Sequence, residues 1–328
     1  MASFITRKIT ALVLAGLMTF GACSCSAEGI ENKSGSRLSI VTTVFPCYDW
    51  VREIAGSKIS GIDLTMLLDN GTDMHSFQPA AKDIVKISSC DVFIYVGGES
   101  DEWVEDALKE AVNKDIRTVN LMDLLGDSVV EEETVEGMQA EDEEEGEDGP
   151  EYDEHVWLSL LNAQVLVTGI ADAMAQADPE NASLYENNAG TYNSKLGELD
   201  GRYRAAVKDS DKDTILFCDR FPFRYLTDEL GLDYYAAFSG CSAEAEASFE
   251  TVVFLSGKID ELGLSSVLVI DGSDQKIAKT VIENTGSKDM EILVMDSMQS
   301  TTTADSINGV TYLSVMESNL EVLVKALG

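Results

Sequence analysis

The sequence predicts an α/β protein of two lobes, each with a parallel sheet, joined by one long helix. Three observations carry this reading. Short β-branched or apolar runs alternate with helical stretches between residues 39 and 121. The alternation resumes at residue 214 and continues to the C-terminus. Between the two lies a helical pattern of about 30 residues, on the order of 45 Å at 1.5 Å per residue, longer than a small domain needs.

Taken in order, residues 39–45 are rich in β-branched side chains and read as a strand, with a helix beginning near Asp49. Residues 62–68 form a second strand, closed by the turn signal Asp69-Asn70-Gly71. A short helix over 80–88 leads into an apolar strand over 92–96, ended by Gly97 and Gly98. A helix over 103–112 and a strand over 118–121 complete the first alternation. Residues 131–154 break it. Fourteen of them are Asp or Glu, and Gly137, Gly146, Gly149 and Pro150 interrupt the rest. Such a segment cannot bury a core and is expected to be a disordered loop.

Asp178 and Pro179 then suit a helix start, with Asp as cap and Pro at the first helical position. Tyr185, Ala189, Tyr192, Leu196, Leu199, Tyr203 and Val207 follow at spacings of three and four, one face of a helix. In the second half, strands over 214–217, 266–270 and 291–295 alternate with helices over 223–230, 249–262, 276–285 and 309–327. The expected organisation is a signal peptide over 1–22 and a lipidated flexible tether over 23–38. An N-terminal lobe over 39–165, a helical region over 166–209 and a C-terminal lobe over 210–328 follow.

The first residues read as an export signal. Arg7 and Lys8 precede an apolar run from Ile9 to Phe20, and small residues follow. The run is shorter than the roughly 20 apolar residues a membrane-spanning helix needs. Phe20-Gly21-Ala22-Cys23 resembles a bacterial lipobox, which makes Cys23 the expected lipidation site and the protein extracytoplasmic and membrane-anchored. Simple cleavage and release is the alternative. Residues 24–37 are polar and contain Gly and Ser, as a flexible tether would.

Across 328 residues, 23 basic and 59 acidic side chains leave a formal net charge of -36. Phosphate recognition needs a basic footprint, so the balance argues against a nucleic-acid partner. It argues equally against a polybasic membrane-surface protein. It suits attraction of cations, and it also suits plain solubility. Beyond the leader, Cys47, Cys90, Cys218 and Cys241 show no paired CxxC spacing, which disfavours a cysteine-only zinc site. In an exported protein Cys218 and Cys241 could pair as a disulfide.

The chain has two histidines, His75 and His155, both in loops beside structured elements. His75 lies just past a predicted strand, where open α/β sheets place ligands. His155 ends the acidic run. Neutral imidazole is a common zinc ligand, whereas a histidine taken alone is more often structural.

Their surroundings resemble the solute-binding proteins of zinc and manganese ABC importers. Gly71, Asp73, His75, Phe77 and Pro79 match the first histidine motif of that family, and Asp153, His155, Trp157 and Leu158 match the second. An acidic or histidine-rich loop commonly precedes the second histidine there, as it does here. Residues 43–46, 91–97, 178–182 and the Tyr312-Leu313-Ser314-Val315-Met316 run are also similar, so the resemblance covers nearly all of the mature chain.

The resemblance implies two Rossmann-like lobes on a long backbone helix, a metal cleft between them, and His75 and His155 as ligands. It implies a third ligand, histidine or glutamate, within residues 218–226, and the best alignment places Arg220 there. Arginine has no acceptor and cannot ligate a cation. Cys218 or Asp219 could substitute, and Arg220 would otherwise pair with a carboxylate. The fourth ligand of the family is an acidic residue after a late strand, which points to Asp271, with Asp274 or Glu246 as alternatives. Two imidazoles with one carboxylate suit Zn2+, and a second carboxylate would favour Mn2+ or Fe2+.

The expected function is capture of the metal, zinc before manganese, and its delivery by a monomer to an ABC permease in the membrane. A metal-buffering or adhesin-like surface lipoprotein is the alternative. The sequence contains neither HExxH nor GxSxG, so an enzyme is not expected.

Overall fold

Among the described residues, eight strands form two separate four-stranded sheets of identical plan. The first contains β1 (Leu38–Thr42), β2 (Ile62–Met66), β3 (Val92–Tyr95) and β4 (Arg117–Asn120), in the order β2-β1-β3-β4. The second contains β5 (Thr214–Arg220), β6 (Asp233–Phe238), β7 (Ser266–Ile270) and β8 (Glu291–Met295), in the order β6-β5-β7-β8. Every strand pair is parallel. In each sheet the first strand is central and the chain reverses its winding beside it, the place where doubly wound sheets open a binding crevice. This is a computed structural model, and it describes residues 37–139, 151–242 and 246–328. The leader, Cys23 and the middle of the acidic segment lie outside the described residues. Among the described residues, no helix is long and apolar enough to cross a membrane.

The alternation along the second sheet explains how the lobes join. Ile215 and Phe217 of β5, Leu268 and Ile270 of β7, and Leu293 and Met295 of β8 belong to the large apolar core that also holds the first sheet. Their neighbours Leu216, Cys218, Val267 and Val269 face a second core belonging to this lobe alone. The two-residue period of a strand thus sends one face of the sheet toward the first lobe and the other toward the helices Phe249–Leu262 and Lys276–Asn284.

The long helix runs from Ala182 to Asp209, 28 residues, after a single 3-10 turn at Pro179–Asn181. Tyr185, Ala189, Tyr192, Leu196, Leu199 and Tyr203 form its buried stripe, the face expected from their spacing. It packs on the helices Leu160–Ala177 and Phe45–Ala55, and Tyr203 donates a 2.6 Å hydrogen bond to the Met316 carbonyl of the C-terminal helix Tyr312–Leu327. On the other side, Arg204 donates to the Glu229 carbonyl at 2.9 Å. One helix therefore contacts elements of both sequence halves.

Some elements go beyond the sequence reading. The helix Leu160–Ala177 starts before the helical region expected from residue 166, capped by Ser159, whose hydroxyl accepts from the Asn162 N–H at 2.8 Å. Strand β6 was not expected, because Asp233, Ala236 and Ala237 are weak strand formers, and pairing with β5 overrides that preference. A short helix, Thr303–Ile307, carries a reciprocal Thr302–Asp305 cap. The flanks of the acidic segment are also ordered. Glu131 bridges to Tyr152, and Gln139 donates to the Ala237 carbonyl at 3.0 Å, with Met138 buried beside it. The apolar residues Val135 and Met138 give this stretch the anchor that its charge count concealed.

All four cysteines of the described residues are free. The disulfide considered between Cys218 and Cys241 is not formed, because the Cys218 side chain is committed to the second core whereas Cys241 follows β6 into the cleft.

Candidate metal centre

His75 sits in the turn Met74–Ser76, a few residues past the end of β2. Asp73 caps this turn by accepting the His75 N–H at 3.1 Å. His155 follows the last acidic residues, and Asp153 accepts its backbone N–H at 2.8 Å. The same D-x-H spacing does the same work twice: a short acid folds back on the histidine two residues later and sets the ring's starting direction.

The two rings meet. His75 Nε2 and His155 Nε2 are 3.3 Å apart. Behind each ring stands an acceptor. His155 Nδ1 lies 2.9 Å from Asp153 Oδ1, and both side chains are fully buried or nearly so. His75 Nδ1 lies 2.9 Å from Ser100 Oγ and 3.3 Å from Glu154 Oε2. A carboxylate can only accept, so it places the ring proton on Nδ1 and leaves the Nε2 lone pair facing the other ring. Two bare lone pairs at this distance repel unless a cation or proton stands between them. Ring nitrogens bound to one tetrahedral zinc at 2.0–2.1 Å would lie about 3.3–3.4 Å apart. The observed separation equals that edge.

The supporting shell is tight. Glu154 Oε1 accepts the Ser100 N–H at 2.8 Å. Burial works against the charge on Glu154, but hydrogen bonds from His75 and Ser100 hold its carboxyl below the usual range. Gly98, at φ +76°, has to be glycine: a Cβ there would stand 2.3 Å from Glu154 Oε1. Trp157 packs edge-on against His155, with ring centroids 5.4 Å apart, and donates to the Ser297 carbonyl at 2.9 Å.

The other expected residues fall in different places. Arg220 pairs with Asp73 and donates to the Ser242 carbonyl at 3.3 Å. Burial opposes the Asp73 charge, yet Arg220 and His75 bring its carboxyl below the ordinary value. Asp271 lines the same cavity of about 410 Å³ as His75 and Arg220. Its two oxygens are taken by the N–H and hydroxyl groups of Ser297 and Ser300. Asp219 accepts the Arg220 N–H at 3.0 Å, Asp274 pairs with Lys276 at the surface, and Glu246 is exposed. Cys218 is 1% exposed, and its thiol is pushed far above the ordinary range by burial. None of these six joins the two imidazoles in a tight cluster. Among the described residues, the group that does is His75, His155 and Cys241, with ligand atoms all within 4.8 Å of one another.

Cys241 and Gln299 are the residues at the centre that sequence reasoning missed. Gln299 Nε2 lies 3.1 Å from His155 Nε2, while its Oε1 is buried without a hydrogen-bond partner. Neither sits in a motif with a histidine. Their only signal is that each follows the C-terminal end of a strand, β6 for Cys241 and β8 for Gln299.

Two parallel-sheet lobes around a polar cleft, with convergent imidazoles, define the class of two-lobed solute-binding proteins. The chain belongs to the ZnuA family, described as zinc-uptake complex component A, periplasmic, whose model matches residues 40–326. It is similar to the zinc-binding protein AdcA of Streptococcus pyogenes serotype M3, 31% identical over 294 residues, covering 88% of this chain and 55% of that protein. The chain thus spans about half the length of this relative. The high-affinity zinc uptake system protein ZnuA of Bacillus subtilis is 28% identical over 320 residues, covering 96% of each chain. Among solved structures, the Zn(II)-bound ZnuA-like domain of Streptococcus pneumoniae AdcA superposes with a TM-score of 0.69 at 28% identity, over 89% of this chain and 99% of that one.

Proposed function

We propose that this protein is the extracytoplasmic receptor of a zinc importer: it captures Zn2+ through His75 and His155 and delivers it to an ABC permease. The observation that carries the reading is the 3.3 Å separation of the two Nε2 atoms, each ring backed by a carboxylate on its far side. The family supports transport as the context. The zinc-binding relatives named above support the metal. Anchoring through lipid at Cys23 would keep the receptor beside its permease. Manganese ranks second, because it prefers oxygen ligands and the carboxylate expected to provide them, Asp271, is occupied by serine donors. The site binds and releases its cargo unchanged and performs no catalysis.

The test is metal content and affinity. Protein purified without chelator should carry close to one zinc per chain, and His75→Ala or His155→Ala should weaken zinc binding on the order of a hundredfold or more in a competition titration. Equal zinc affinity in both variants would remove the site.

A further inference from the structure

We propose that Cys241 supplies the third protein ligand, so that the cargo is held by two imidazoles and one thiolate. This rests on the reading of His75 and His155 as ligands. The sulfur and the two ring nitrogens lie within 4.8 Å of one another, close enough for a small inward movement of the loop to reach bonding distance around one ion.

The loop is built to bring the sulfur there. Gly240 precedes Cys241, and a Cβ on it would come within 3.2 Å of His155 Nδ1 and 3.0 Å of the Phe221 carbonyl oxygen. Glycine lets the backbone pass against the imidazole at this point. Glu132, from the ordered flank of the acidic segment, then accepts the Cys241 N–H at 2.8 Å and fixes the next residue. His75, Cys241, Glu132 and Glu154 all line one small cavity of about 230 Å³, whereas Arg220 and Asp271 line the other cavity that His75 borders.

The second-lobe candidates expected from the sequence offer no better donor. Arg220 is cationic and paired, Asp271 is bonded to serines, and Cys218 is in the other core. Cys241, which follows β6, would let the ion bridge the lobes through sulfur. As the metal–sulfur bond forms, the S–H proton leaves, and the Glu132 carboxylate, which already accepts the Cys241 N–H, is placed to take it. Water completes a tetrahedral shell. A thiolate is a soft ligand that zinc accepts and manganese does not favour, so Cys241 makes the site selective for zinc.

Cobalt(II) replaces zinc in such sites and reports sulfur directly. The intact protein loaded with Co2+ should show thiolate-to-cobalt charge-transfer absorption in the near ultraviolet together with tetrahedral d–d bands. Cys241→Ser should keep cobalt bound through the histidines, lose the charge-transfer band, and weaken zinc binding about ten- to a hundredfold while manganese binding changes little. Cobalt bound by the wild type with d–d bands but no sulfur band would overturn the inference and leave the histidine site standing. Cobalt binding indifferent to His75→Ala would overturn both.

Discussion

Asp153 accepts two hydrogen bonds from His155, one from the backbone N–H at 2.8 Å and one from ring Nδ1 at 2.9 Å, through the same Oδ1 atom. A single buried oxygen therefore sets both the backbone turn and the ring orientation. Asp153→Asn keeps an acceptor but removes the charge that strengthens the imidazole as a donor to metal. Zinc affinity should fall about ten- to a hundredfold with little change in melting temperature. Competition titration and thermal melting on the same sample separate the two effects. An unchanged affinity would mean that the carboxylate is purely structural.

Gly98→Ala should disturb the other histidine from behind. The new methyl would overlap Glu154, and φ +76° is itself unfavourable for alanine. A stability loss of about 1–3 kcal/mol is expected, with weaker zinc binding because Glu154 no longer meets His75. Urea unfolding and zinc titration measure the two quantities.

Arg220 and Asp73 join the two halves across the cleft. The folded protein holds the Asp73 carboxyl below its unfolded value, so the pair's contribution is present above the ordinary carboxylate pKa and is lost as pH falls through the lowered value. Arg220→Ala should cost about 1–2 kcal/mol near neutral pH, and the difference from wild type should close in acid. Urea midpoints measured at several pH values test this. A gap independent of pH would assign the loss to packing.

Glu229 behaves in the opposite sense. Burial pushes its carboxyl to about 7, despite a hydrogen bond from Ser159. The neutral form is favoured in the folded state. Its stabilising contribution is full below about 4.5, the unfolded value, and is lost as pH rises toward 7. Glu229→Gln should therefore gain on wild type by about 1–3 kcal/mol across that interval. Identical pH profiles for the two proteins would contradict it.

The fold was legible wherever one period dominated. The stripe from Tyr185 to Tyr203 could be read from its spacing and the strand Ser266–Ile270 from its apolar run. Strand β6 could not, since two alanines and an aspartate acquire strand geometry only from the neighbour that pairs with them. At the centre, the two D-x-H motifs carried their own local hydrogen bonds, and Arg220 found a carboxylate as its charge required. Cys241, Glu132 and Gln299 were illegible because their placement depends on three loops, far apart along the chain, converging on one imidazole pair. Asp271 has the residue type expected of a ligand, but the serines that engage it come from the segment after β8.

One apolar core runs without interruption from the first sheet to the inner face of the second. Swinging the halves apart like a book would wet Phe217, Leu268, Met295 and their partners, each worth about 1.5–3 kcal/mol of burial. That cost forbids a wide hinge. A chain built this way keeps nearly one silhouette, so occupancy of the cleft would register chiefly in the few side chains at its rim.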